Sequence, residues 1–264
     1  MPVAYLDVLS GARRSALGNR HLGVLLAFVA GAVNAGGFLA VSRYTSHMTG
    51  IVSGVADDLA LGQWWLAGAG VVAVSAFVGG SACTALLINW GRRQRLSGVY
   101  AMPLMVEALA LLIFGLLGAS LHVAIDLIVP ATVLLLCFIM GLQNAVITKI
   151  SRAQIRTTHL TGLLTDLGIE LGRLMYWNRR PGPPEQQVRA DRDRMVIHAT
   201  LIGTFFVGGV CGALAFKHLG FVATVPVAVV LAIVALPPVW RDLRIGARLR
   251  VSLARCRSAA SRRR

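Results

Sequence analysis

Six stretches of the chain are apolar for long enough to cross a bilayer, whose hydrocarbon core takes about 20 apolar helical residues to span. They are Leu22–Val41, Trp64–Trp90, Met102–Leu121, Val123–Ile147, Met195–Phe216 and Phe221–Trp240. Tryptophans bracket the second run, as interface anchors do. Gly and Ala are abundant inside the runs, which lets helices approach closely. Pro103, Pro130 and Pro226 are tolerable there as kinks or near helix ends. The pattern predicts an all-α polytopic membrane protein of about six transmembrane helices.

Two further segments are of mixed character. Met48–Gly62 is moderately apolar but carries Asp57 and Asp58, and Leu160–Trp177 carries Asp166, Glu170 and Arg173. Each is too polar or too short to span. They are expected as re-entrant or interfacial helices, since irregular backbone at membrane depth survives only where protein or a water-filled cavity surrounds it.

Loop charge then sets orientation. Arg13, Arg14 and Arg20 precede the first run, Arg92, Arg93 and Arg95 follow the second, and Arg173, Arg179, Arg180, Arg189, Arg192 and Arg194 lie between the fourth and fifth. The tail carries Arg241, Arg244, Arg248, Arg250 and a terminal Arg262–Arg263–Arg264, whereas the other three loops hold only Arg43, no cation, and Lys217. Rich and poor segments alternate, so the positive-inside rule predicts six crossings with both termini cytoplasmic. A single membrane domain is expected over 1–240 and a basic cytoplasmic tail over 241–264.

Composition agrees. The chain is 56% hydrophobic and 14% charged with mean hydropathy +0.70, against about 45–50% and 25% in soluble domains. The net charge of +15 would fit a nucleic-acid binder, but its arginines sit at the ends of apolar runs, where topogenic charge belongs. Cys83, Cys137, Cys211 and Cys256 contain no Cys-x-x-Cys pair, so neither a zinc site nor a disulfide framework is indicated. Residues 1–20 do not read as a signal peptide, because the apolar run after them is too long.

The chain also repeats itself. Gly31-Ala-Val-Asn34-Ala35, Val41-Ser-Arg43 and Thr45-Ser-His47-Met-Thr49-Gly50 are matched by Gly141-Leu-Gln-Asn144-Ala145, Ile150-Ser-Arg152 and Thr157-Thr-His159-Leu-Thr161-Gly162. Repeat one covers about 20–121 and repeat two about 123–240. Each holds three spanning runs, an odd number, so the second copy is expected to insert upside down. Such inverted repeats are a signature of secondary transporters, with sites near the midplane at the repeat interface, often built on broken helices. The Thr-x-His-x-Thr-Gly strings are candidate breaks: Gly50 and Gly162 can relieve a turn, and Thr or Ser hydroxyls can cap the next helix.

At these residues the sequence resembles the YoaK-like bacterial membrane proteins, long classed as a domain of unknown function. The resemblance runs from about Leu22 to Trp240. It is carried by Gly31-Ala-Val-Asn34-Ala-Gly-Gly, by Tyr44-Thr-Ser-His-Met-Thr-Gly50, and by Arg156-Thr-Thr-His-Leu-Thr-Gly162 with Thr165-Asp166 following. Many members carry Asp where Asn34 stands, and Thr-Gly-Asn where this chain has Thr49-Gly50-Ile51; both departures remove polarity from the first copy. The resemblance implies a six-helix protein of the bacterial inner membrane and supplies no substrate or reaction.

Several polar residues inside the apolar runs are candidates. Glu107 is an ionisable group in a spanning run, a functional-site hypothesis by default; it is either a proton-carrying group or a carboxylate reaching Arg92, Arg93 or Arg95. Asn34, Gln143 and Asn144 could hydrogen-bond substrate or pin helices together. His47 and His159, with Thr49, Thr161 and Asp166, belong to the motif strings. Asp166 and Glu170 are four apart and share a helix face. A divalent-metal route is conceivable from His plus carboxylates, but the ligand set is thin, and neither metal nor cofactor is expected. Ser46, Ser53 and Cys83 lie in no Gly-x-Ser-x-Gly or His-Glu-x-x-His string, so no enzyme is expected.

The leading expectation is a secondary transporter of an unidentified small molecule across the bacterial inner membrane, by alternating access between the repeats. The alternative is a non-transporting membrane protein, lipid-binding or an assembly factor. Expected partners are the lipid bilayer and a small molecule but not nucleic acid, with homo-oligomerisation open. A transporter needs a polar midplane cavity reached by both His motifs. A dry, filled core between the halves would sink that expectation.

Overall fold

In hydrocarbon every backbone N–H and C=O must bond within its own segment, so each apolar run becomes a helix. The computed structural model describes residues 16–41, 45–119, 125–150, 160–176 and 187–261. They form α1 (Ala16–Val41), α2 (Met48–Ala60), α3 (Trp64–Arg93), α4 (Ala101–Ala119), α5 (Ile125–Ile150), α6 (Leu160–Met175), α7 (Arg192–Leu219), a 3-10 turn (Gly220–Ala223) and α8 (Thr224–Ser261), with no strand among the described residues.

Five helical stretches are long and apolar enough to span: Leu17–Phe38, Trp64–Arg93, Ala101–Ala119, Ile128–Ile150 and Arg192–Arg244. The last holds both final apolar runs. It is broken where Gly220 takes φ +58 at the end of α7, a left-handed conformation that glycine adopts at no steric cost. The mixed segments are the short helices α2 and α6. α8 continues past the last apolar run to Ser261, so the basic tail is helical for most of its length.

Neighbours in space are not neighbours in sequence. α1 packs chiefly on α7, α3 on α5 and α4 on α8; α2 lies along α3, α6 along α7, and α1 meets α5. A four-fold motif explains the first two pairs. Phe-x-x-Gly occurs at Phe28–Gly31 on α1, Phe77–Gly80 on α3, Phe138–Gly141 on α5 and Phe205–Gly208 on α7. A Cβ on Gly31 would strike the Phe205 carbonyl oxygen, and one on Gly208 the Phe28 oxygen. Likewise Gly141 faces the Phe77 oxygen and Gly80 the Phe138 oxygen. Each glycine therefore lets two backbones touch, as small residues do where lipid and protein are equally apolar.

The interior fills with large apolar side chains. Leu26, Leu104, Leu111, Leu136, Met140, Leu142, Ile147 and Leu231 are fully buried. Phe114 of α4 sits against Phe216 and Phe221, with ring centroids at 6.4 and 5.6 Å. At the opposite end α3 closes with the hydrogen bonds Arg95 N to Arg92 O and Leu96 N to Gly91 O, a Schellman ending, with Arg95 at φ 54 where glycine is usual.

Candidate functional site

Gln143 lies where α1, α3 and α5 meet. The carbonyls of Gly141 and Leu142 accept hydrogen bonds from Ser81 Oγ (2.9 Å) and Thr84 Oγ1 (3.0 Å) of α3. The Gln143 side chain points the other way, and its Nε2 donates to the Leu26 carbonyl of α1 at 3.1 Å. The residue is fully buried, yet its Oε1 has no partner. Glu107, on α4, is also fully buried, and neither carboxyl oxygen has a hydrogen-bond partner. The expected reach to Arg92, Arg93 or Arg95 is not made: Arg92 donates instead to the Tyr100 hydroxyl at 2.9 Å. An unpartnered buried polar atom costs about 1–3 kcal/mol, and more for an ionised group; among the described residues Glu107 and Gln143 share this state with His198 of α7, whose Nδ1 is also buried without a partner.

The first His motif breaks the helix at Thr45–His47, but not through the groups expected to make the break. Asn34 is buried on α1, and its Oδ1 accepts from Ser46 Oγ at 2.6 Å. Ser46 is thereby committed to α1 and does not cap α2. His47 is the N-cap residue through its backbone alone, with no side-chain cap hydrogen bond, and Gly50 lies inside the helix rather than in a turn. His47 and Thr49 are exposed, whereas Thr45 is buried.

In the second motif, His159 lies outside the described residues. Gly162 is again helical, Thr161 and Asp166 are exposed on α6, and Asn144 is half-buried on α5. Asp166 and Glu170 share a helix but not an environment. Glu170 is buried, pairs with Arg173 at 2.8 Å and accepts from the Asp191 N–H at 2.8 Å. Glu170 therefore fastens α6 to the start of α7. Of the candidate residues, the structure brings Gln143 into the central helix junction and leaves His47, Thr49, Thr161 and Asp166 at the surface. Among the described residues no group of three His, Cys, Asp or Glu side chains could hold a metal ion.

Two cavities accompany these residues. One of about 320 Å³ lies among α1, α4, α7 and α8, against Phe28, Leu111, Phe216 and Thr224. The other, of about 580 Å³, is a groove between α2, α3 and α5, bounded by Thr45, Trp64, Trp65, Gly68, Val133 and Cys137. Both are predominantly apolar. Neither of these two is the polar cavity, reached by both His motifs, that a transporter needs. Where α1 meets α5 the Gln143 amide bonds the Leu26 carbonyl, and Leu26, Leu136 and Met140 are buried in the same core.

The family model described as a protein of unknown function, DUF1275, matches residues 22–236. The chain belongs to the DUF1275 family. The YoaK-like resemblance of the motif strings is consistent with this membership. No curated protein and no solved structure compared with this DUF1275 member matches it. The match covers both motif copies, the Gln143 junction and both cavities.

Two polar anchors of this DUF1275 chain were invisible to sequence reasoning. Glu170 reads in the sequence only as sharing a helix face with Asp166. Asp242 carries no sequence signal, yet it accepts from the Ser97 and Gly98 N–H groups at 3.0 and 2.8 Å and from the Ser97 hydroxyl. Arg241 adds a bond to Ser97 Oγ at 3.2 Å. The Phe-x-x-Gly repetition is the sequence mark of the helix pairing.

Proposed function

We propose that this DUF1275 member is a lipid-binding integral membrane protein of the bacterial inner membrane, without enzymatic activity. The observation that carries this reading is the predominantly apolar lining of both cavities. Pockets of this size suit small molecules, and an apolar lining favours an apolar or amphiphilic one, because a hydrophilic solute would lose its water without replacement.

The same proposal includes two inverted halves, with both termini cytoplasmic. The alternation of arginine-rich and arginine-poor loops supports the orientation. The exchange of Phe-x-x-Gly contacts supports the halves: the first helix of each repeat, α1 or α5, grips the helix after the short one in the other repeat, α7 or α3. The test is lipid analysis of protein purified in membrane-derived nanodiscs. Enrichment of one lipid class over the surrounding membrane is the expected result, and identical composition overturns it.

A second reading, secondary transport by alternating access, is favoured by one observation. Both Glu107 oxygens and Gln143 Oε1 are buried without partners. A static scaffold gains nothing from this cost, whereas a carrier would satisfy them in another conformation or with a bound solute. Proteoliposomes separate the readings: a saturable flux above that of empty liposomes would establish transport, and its absence with retained lipid enrichment would establish binding alone.

A further inference from the structure

We infer that the groove between α2, α3 and α5 holds one hydrocarbon chain of a membrane phospholipid, taken from the leaflet opposite the arginine cluster. This rests on the lipid-binding reading and gives it a place and a ligand. The groove occupies the first three turns of α3. That helix is 30 residues long and ends at Arg92 and Arg93, so at about 1.5 Å per residue the groove lies some tens of ångströms from the arginines. Arg95, Arg241 and Arg244 belong to the same arginine-bearing end, tied together by the Ser97–Asp242 bonds.

The groove is open sideways. Its bounding residues Trp64 and Trp65 are 73% and 87% exposed, and Val72 is 51% exposed. These residues belong to a helix apolar enough to span, so what surrounds them is the bilayer itself. An apolar recess opening at that depth fills with acyl chain, because water placed there lacks hydrogen-bond partners. The floor is shaped to receive it. Gly68, Ala69 and Ala73 present little side chain on α3, while Val133 and Leu134 of α5 form the wall. Trp64 and Trp65 stand where aromatic side chains mark the membrane–water interface, and Thr45 adds a hydroxyl to the lining. The chain would lie in the groove with its headgroup at the tryptophan end.

Gly68 makes the proposal testable without disturbing the fold, because a Cβ there meets nothing within 4 Å. Gly79, farther along the same helix, is equally open and supplies the control. The full-length protein in phosphatidylglycerol–phosphatidylethanolamine nanodiscs is labelled with a phosphatidylglycerol carrying a photoreactive group in its acyl chain, and adducts are mapped by peptide mass spectrometry. Saturable labelling of residues 64–73 and 129–137 is expected. In Gly68→Phe, and independently in Ala69→Leu, the probe fraction for half-maximal labelling should rise about tenfold, with Gly79→Phe unchanged. Saturable labelling that neither groove variant alters would overturn the groove assignment while leaving lipid binding intact. Labelling that never saturates would overturn both.

Discussion

At the scale of single residues, the sharpest dependence is on four missing side chains. Gly31→Ala places a methyl against the Phe205 carbonyl and forces α1 from α7. Overpacking of this kind costs about 1–3 kcal/mol. We expect a clearly lowered melting temperature in detergent for Gly31→Ala and Gly141→Ala, and none for Gly79→Ala, whose Cβ meets open space. Equal melting of all three would refute the close contact. Glu107 predicts the opposite sign. Replacing it with Leu removes two buried, unpartnered oxygens at nearly constant volume, so Glu107→Leu should stabilise by about 1–3 kcal/mol. A destabilised variant would mean that Glu107 has a partner in the membrane that the isolated chain lacks.

At the scale of helices, much was legible in the sequence. The apolar runs are helices with ends shifted by a few residues, apart from the last, which continues to Ser261, because hydrophobic length decides which segments enter lipid. The mixed segments Met48–Gly62 and Leu160–Trp177 became the short helices Met48–Ala60 and Leu160–Met175. Pairing was not legible in local periodicity, since the contacts between α1 and α7 join residues far apart in sequence; its mark is the Phe-x-x-Gly repetition. Nor were the anchors: Asp242 and Glu170 look solvated until the backbone N–H groups they serve arrive from other segments. Nor was the fate of the motif hydroxyls: Ser46, one of those able to cap the next helix, bonds Asn34 of α1 instead.

The Asp242 clamp carries its own prediction. Asp242→Ala deprives Ser97 and Gly98 of their acceptor and should cost about 1–3 kcal/mol. Trypsin should then cut faster after Arg92, Arg93 or Arg95, while Asp242→Asn, which keeps one acceptor oxygen, should fall between. Unchanged cleavage would show that the turn holds without the clamp.

For the molecule as a whole, the proposed inverted arrangement makes a prediction about orientation. In a chain whose own cysteines are replaced, cysteines at positions 47 and 159 should react with an impermeant thiol reagent from opposite sides of the membrane. Reaction of both from one side would refute the inversion while leaving the helix packing untouched.

The exchanged Phe-x-x-Gly contacts also have a consequence in time. A ribosome delivers α1 to α4 before α5 to α8 exist, so the glycine strips of α1 and α3 enter the bilayer with lipid where their partners α7 and α5 will later sit. The nascent first half is thus an unfinished product that maturation must hold in place until translation ends. Its handover does not require a continuous chain, however. Fragments 1–121 and 123–264, synthesised separately in one cell, should find each other and co-purify, whereas either fragment alone should be degraded. Independent survival of the first fragment would mean that it matures before its partner is made.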